Sequence, residues 1–270
     1  DDIVQLIADR TDACTAQVRA LFEDAGVQTV EMDNSLHEAA GALPIDIRQD
    51  SSTRQVLEAG YKKTLGTMRN LVSTTATQTQ TAFIQTCDRI YMQVSSGAFS
   101  YQEAIMNALR ALADTGATVS YPTGHTDRMD VAVRLCVLTG VSQTAAAVSL
   151  QQAEDAGCYL MEITAHSGAR HDHAKWQGQL VTITGKDAGK IIDGLRVFTL
   201  SEIGYGSGEG FKGWNCRHNW HAYYPGLSTP NYTPEELKKL DEPCISYNGK
   251  LYTEYEISQM QRVQERRVRA

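Results

Sequence analysis

The chain contains no apolar run approaching the ~18 residues that a bilayer-spanning helix needs. Its six cysteines, Cys14, Cys87, Cys136, Cys158, Cys216 and Cys244, include no close CxxC pair and no small-scaffold spacing. They read as reduced thiols in a cytoplasmic setting. Cationic excess is missing too. The net charge is −7, which argues against a generic nucleic-acid binder, because broad phosphate binding needs a positive surface. The glycine-rich run Gly204–Gly213 lacks the Lys-Ser/Thr ending of a phosphate-binding loop. No paired-carboxylate pattern is specific enough for two-metal hydrolysis. What remains is an ordinary, mildly acidic chain. Its 270 residues, 42% of them hydrophobic, suffice for one large or two modest domains.

Helical periodicity dominates the first part. Ile3, Leu6, Ile7, Val18, Leu21 and Phe22 are spaced for one face, so a helix is expected over residues 1–26. Residues 27–50 read as a loop, with Pro44 and several Asp and Asn side chains. A long helix is expected over 53–95, with a stripe of Leu57, Tyr61, Leu65 and Met68 suited to docking another protein. Its middle, Ser73–Thr81, is poor in large apolar residues. Ser95–Ser100 reads as a turn, followed by a helix to about Ala113. Val119–Asp127, with its Pro-Thr-Gly turn, suggests a hairpin, and a further helix runs from Arg128 to Gly157.

After Gly157 the period changes. Strands are expected over 159–165 and 180–184. Thr233-Pro-Glu-Glu starts a short helix, Asn248-Gly249 marks a hairpin, and Thr253 caps a last helix. The expectation is therefore an α+β protein. An extended, mainly helical region over 1–157, suited to docking other chains in an assembly, precedes a small compact α+β domain over 158–270. The basic tail from Gln261 reads as the solvated end of an amphipathic helix that could also touch nucleic acid.

Chemistry concentrates in two polar clusters. Five of the seven histidines fall between His166 and His221, and all three tryptophans lie in the same span. The first cluster is His166–Gly178 and the second is Gly213–His221. Their candidate ligands are His166, His171 and His173, then Cys216, His218 and His221. A mixed nitrogen and sulfur set favours zinc, and the preferred set is His166, His173, Cys216 and His218. Two alternatives stay open. One is catalysis by a Cys216–His218 or Cys216–His173 pair, with Arg170 or Arg217 steadying an anion and Asp172 orienting a histidine. The other is a hydrogen-bonded polar core beneath the Trp rings.

The strings His166-Ser-Gly-Ala-Arg, His173-Ala-Lys-Trp-Gln-Gly178, Gly204-Tyr-Gly206, Gly213-Trp-Asn-Cys-Arg-His218 and Tyr247-Asn-Gly-Lys-Leu-Tyr-Thr-Glu-Tyr255 resemble the phage minor capsid protein 2 family. The likeness covers about Tyr121 to Arg269 and extends to the broader group of phage Mu-type minor head proteins. His171 stands where that family is expected to carry Pro. The resemblance implies a minor head protein with a structural role at the portal or head interior. Its implied partners are the portal and other head proteins, with packaged DNA reached through the basic C-terminus and no membrane. It also implies a virion location and host cytoplasm during assembly. The competing function is an enzyme built on Arg170, His173, Cys216 and His218.

Overall fold

The computed structural model describes residues 2–68, 70–71, 118–121 and 124–269. The expected thin stretch Ser73–Thr81, the turn at Ser95–Ser100 and the helix to Ala113 lie outside these residues. So do the side chains of Cys14 and Cys87. The chain divides into two compact units, each discontinuous in sequence. One is Asp1–Val18 with Ala59–Gly140; the other is Arg19–Glu58 with Val141–Ala270. The layout is α+β, with the strand-rich part C-terminal.

In the first unit, helix α2 (residues 51–68) runs close to the start of helix α3 (Met129–Asp155). Gly140 makes the approach possible, because a Cβ there would lie 2.0 Å from Thr64 Oγ1. Cys136 donates its thiol to the Thr64 carbonyl at 3.7 Å. The stripe on α2 is not a free surface. Tyr61 and Met68 are each only 6% exposed, and Leu57 and Leu65 are half-buried. Tyr61 and Met68 thus face inward, while Leu57 and Leu65 keep part of their surface open. Strands β1 (Thr118–Ser120) and β2 (Thr126–Arg128) form the expected antiparallel hairpin.

Helix α1 (Asp2–Ala39), which enters the second unit at Arg19, continues through the stretch expected to be loop. The reason is a polar inward face. Val30 is buried, but so are Asp33 and His37 one turn apart, so apolar periodicity does not mark the helix. Asn34 then holds the following loop, accepting the Ile45 N–H at 2.9 Å and donating to its carbonyl at 2.8 Å. Asp50 begins α2 by accepting the Thr53 N–H at 2.6 Å, an N-cap that satisfies an orphan donor.

Five strands form the central sheet in the order β5-β6-β4-β3-β7. They are β3 (Leu160–Ile163), β4 (Leu180–Thr182), β5 (Ile191–Ile192), β6 (Leu195–Thr199) and β7 (Trp220–Ala222). Only β4 and β6 pair in parallel. Side-chain alternation sends Met161, Ile163, Val181, Phe198 and Trp220 into one core, where they meet Ala146 and Ala153 of α3. The small alanines let the helix lie close. Trp220 Nε1 donates to the Ala146 carbonyl at 3.1 Å, so the buried indole is satisfied. The other face gathers Leu160, Leu180, Val197 and Tyr223. Short helix α4 (His171–Ala174) follows β3. Helix α5 (Pro234–Leu240) carries a complete capping box from Thr233 and Glu236. Hairpin β8 (Ile245–Tyr247) and β9 (Lys250–Tyr252) precedes helix α6 (Glu254–Arg269).

Candidate functional site

Strand register brings the two clusters together. In the antiparallel pair β3/β7, Ile163 stands opposite Trp220. Just beyond it, the Thr164 N–H bonds the Asn219 carbonyl at 2.9 Å, and the Asn219 N–H bonds Thr164 Oγ1 at 2.8 Å. The chain leaving β3 toward His166 therefore lies beside the chain entering β7 from Cys216 and His218. The helix α4 turn then brings His173 back over both.

The glycine-rich run is the third wall. It folds on itself so tightly that a Cβ at Gly210 would lie 2.1 Å from the Gly204 carbonyl, and one at Gly213 would lie 2.2 Å from that of Gly208. Glycine is the residue that permits such backbone contact. The fold aims the Glu209 carbonyl at the site, 2.8 Å from His173 Nε2 and hydrogen-bonded to Arg170 Nη2. Lys212 ties the loop to α3: its Nζ bonds Ser142 Oγ at 3.1 Å, and its carbonyl accepts from Gln143 at 3.0 Å. Burial pushes the Lys212 ammonium down to about 8.

His173 and His218 are buried, and Cys216 is half-buried. One ligand atom from each lies within 4.8 Å of the other two. Cys216 Sγ is 3.6 Å from His218 Nδ1. His166 does not join this trio. Its ring tilts against that of His218, with 4.3 Å between centroids, and its Nδ1 contacts the Ser167 carbonyl at 2.8 Å. Trp176, also buried, lies beneath the rings at 4.5 Å from His173 and 4.8 Å from His218. Burial pushes the His218 imidazole down to about 3, and the nearby His166, His173, Lys212 and Arg170 add to the effect. Burial also lowers His173, against the pull of the Glu209 carbonyl. Both rings are neutral at pH 7.

The remaining candidates are elsewhere. His171 is exposed, its ring 5.4 Å from that of Tyr255. Asp172 stays 3.9 Å from His173 Nε2 and is itself 56% exposed. His221 lies on β7 with the buried Glu162, 3.3 Å away, and with Asn231. Trp214, 58% exposed, stands at the rim of a cleft of about 330 Å³. His166, Arg170, His173, Cys216, His218 and Arg262 line that cleft. The arrangement is thus half architecture and half opening: two imidazoles packed on Trp176, and a thiol, two imidazoles and arginines facing a cleft. Such a set, with both imidazoles neutral, can bind a soft cation.

Sequence reading overlooked Gln177, although it sits inside the Trp-Gln-Gly string. Its Oε1 accepts the His166 N–H at 3.2 Å and lies 3.2 Å from His218 Nε2. A buried amide inside a His-bearing motif is the signal that would have found it.

Comparison with known proteins agrees with the motif strings. The family model for phage minor capsid protein 2 matches residues 1–270. A protein named "Structural protein" from Lactococcus phage LL-H is 31% identical over 180 residues, covering 66% of this chain and 45% of that protein. The chain thus spans less than half the length of that relative. No solved structure matches. Among the described residues, no helix is long and apolar enough to cross a membrane. The chain belongs to the phage minor capsid protein 2 family.

Proposed function

We propose that this chain docks at the portal vertex or on the head interior, through the arm formed by residues 225–269. One observation carries the reading: no described side chain from Tyr224 onward is fully buried. The arm nevertheless exposes Leu227, Tyr247, Leu251, Met260, Val263 and Val268, with Leu251 at 57% and Val268 at 87%. Large apolar side chains left exposed along one segment fit a contact to another protein. The arm meets the domain through close contacts, among them the Asn231 bonds to Glu162. Leu237 of α5 covers Gly178, and Glu254 and Tyr255 of α6 lie against Gly168. Arg262 and Arg267, both exposed, give the end of α6 a positive surface for an acidic portal face or packaged DNA.

The test is a triple variant, Leu251→Asp, Met260→Asp and Val263→Asp, in the phage. All three sites are exposed, so the isolated variant should melt within a few degrees of wild type, as surface changes do. It should be missing from purified heads. Normal incorporation of the folded variant would sink the docking arm.

A further inference from the structure

We propose that His173, Cys216 and His218 bind a zinc-type transition-metal ion in the cleft, with water in the fourth position. The reading is independent of where the chain docks in the head. It starts from the hydrogen bonds that fix each ring. Gln177 Oε1 accepts a backbone N–H from His166, and a backbone N–H cannot point at an amide NH₂. That atom is therefore oxygen, and the His218 Nε2 beside it, at 3.2 Å, must donate. The lone pair of His218 is left on Nδ1, the atom 3.6 Å from Cys216 Sγ.

His173 is fixed through Nε2, which lies 2.8 Å from both the Glu209 carbonyl and the donor Arg170 Nη2. An imidazole anchored through one N–H by an amide or carbonyl oxygen, with the other nitrogen free, as in His218, is the outer-shell pattern of metal-bound histidine. Here His218 and His173 converge with one thiol, without a carboxylate among them.

The distances suit a tetrahedral ion. Metal–sulfur and metal–nitrogen bonds of ~2.3 and ~2.05 Å at a tetrahedral angle separate the two donor atoms by about 3.6 Å. That is the observed Sγ–Nδ1 separation. The widest gap in the trio, at most 4.8 Å, closes by a side-chain adjustment of about 1 Å. Two imidazoles with one thiolate favour zinc over magnesium or calcium. Three protein ligands with an open face toward the cleft leave the fourth position to water. His166, stacked on His218 and tethered to Ser167, supports the site without binding the ion. The ion would tie the turn after β3 to the strand entering β7, and both to the glycine-rich loop.

Cobalt(II) tests the proposal, because a thiolate ligand gives a sulfur-to-cobalt charge-transfer band and a tetrahedral site gives strong visible bands. The purified full chain, stripped by a chelator, is titrated with Co²⁺ and then with Zn²⁺. One equivalent of Co²⁺ should bind with both signatures, and Zn²⁺ should displace it. Cys216→Ser, at a half-buried position where serine fits, should stay folded by circular dichroism. It should lose the charge-transfer band and bind about 100-fold more weakly. Gln177→Ala should weaken binding about 10-fold or more by freeing the His218 ring. His166→Ala should still bind one equivalent. A wild-type protein without the charge-transfer band, or a Cys216→Ser variant that keeps it, would overturn the site. Loss of binding in His166→Ala equal to that in Cys216→Ser would overturn the three-ligand assignment.

Discussion

His218 and His221 are three residues apart, and the fold treats them in opposite ways. His221 meets a carboxylate. Glu162, wholly buried on β3, lies 3.3 Å from its Nε2 and also accepts the Asn231 backbone and side-chain amides, each at 2.9 Å. Each lone pair that matters there has a donor. His218 meets a thiol, an amide oxygen and two other imidazoles, and no carboxylate. The difference shows that burial of a histidine does not define its role. A carboxylate partner closes the hydrogen-bond circuit and makes architecture. Neutral rings with converging lone pairs leave room for a cation.

The largest effect expected from breaking this contrast is on the closed side. Glu162→Ala strips the acceptor from the Asn231 amides and from His221. Leaving buried donors without a partner should cost about 3–4 kcal/mol. In a chain of this size that lowers the melting temperature by roughly 6–12 °C. Zinc should leave the deficit unchanged, because the ion belongs to the other cluster. A melting temperature restored by zinc would show that the two histidine environments are one system.

Acid should act mainly on the open side. The His218 imidazole is held at about 3 in the folded chain, against ~6.5 when unfolded. The unfolded state therefore binds the extra proton between those values, and stability falls as pH drops below 6.5. In metal-free protein the loss by pH 4.5 should reach about 2 kcal/mol, read from urea melts at pH 7 and pH 4.5. In His218→Gln the loss over the same interval should shrink. An equal loss in both proteins would place the acid-sensitive group elsewhere.

The smallest effect has the opposite sign. Burial raises the Asp33 carboxyl to about 6, while Ser149 and the charge of His221 pull it down. Between ~3.8 and 6 the folded chain holds more protons than the unfolded one, so this group loses stability as pH rises. Asp33→Asn should therefore gain about 1–2 kcal/mol at pH 8 and nothing at pH 4. Destabilisation at pH 8 would make Asp33 an ionised partner of His221 and enlarge the closed cluster.

Several elements were legible because their signals are local. The capping box at Thr233, the Asn248-Gly249 hairpin and the hairpin ending at Asp127 all formed where their residues called for them. Gly157 ends α3 in the left-handed region, with φ of 69°. One expectation failed for a plain reason. Residues 27–39 are helix although their inward face carries Asp33 and His37, and on α2 only Tyr61 and Met68 of the apolar stripe are fully buried. Polarity and periodicity state how a face is made. They do not state what covers it.

The site divides in the same way. The sequence by itself determined which residue types were present, that histidine, cysteine and tryptophan crowd two segments, and that those strings belong to a phage minor capsid family. Only the tertiary structure decided that His173, Cys216 and His218 converge while His166 stacks, His171 faces outward and His221 pairs with Glu162. The physical reason is range. A cap or a tight turn is written over three or four neighbouring residues. Which ring nitrogen carries the proton, and what it faces, depends on the register of β3 against β7. Residues such as Thr164 and Asn219 set that register from 55 positions apart.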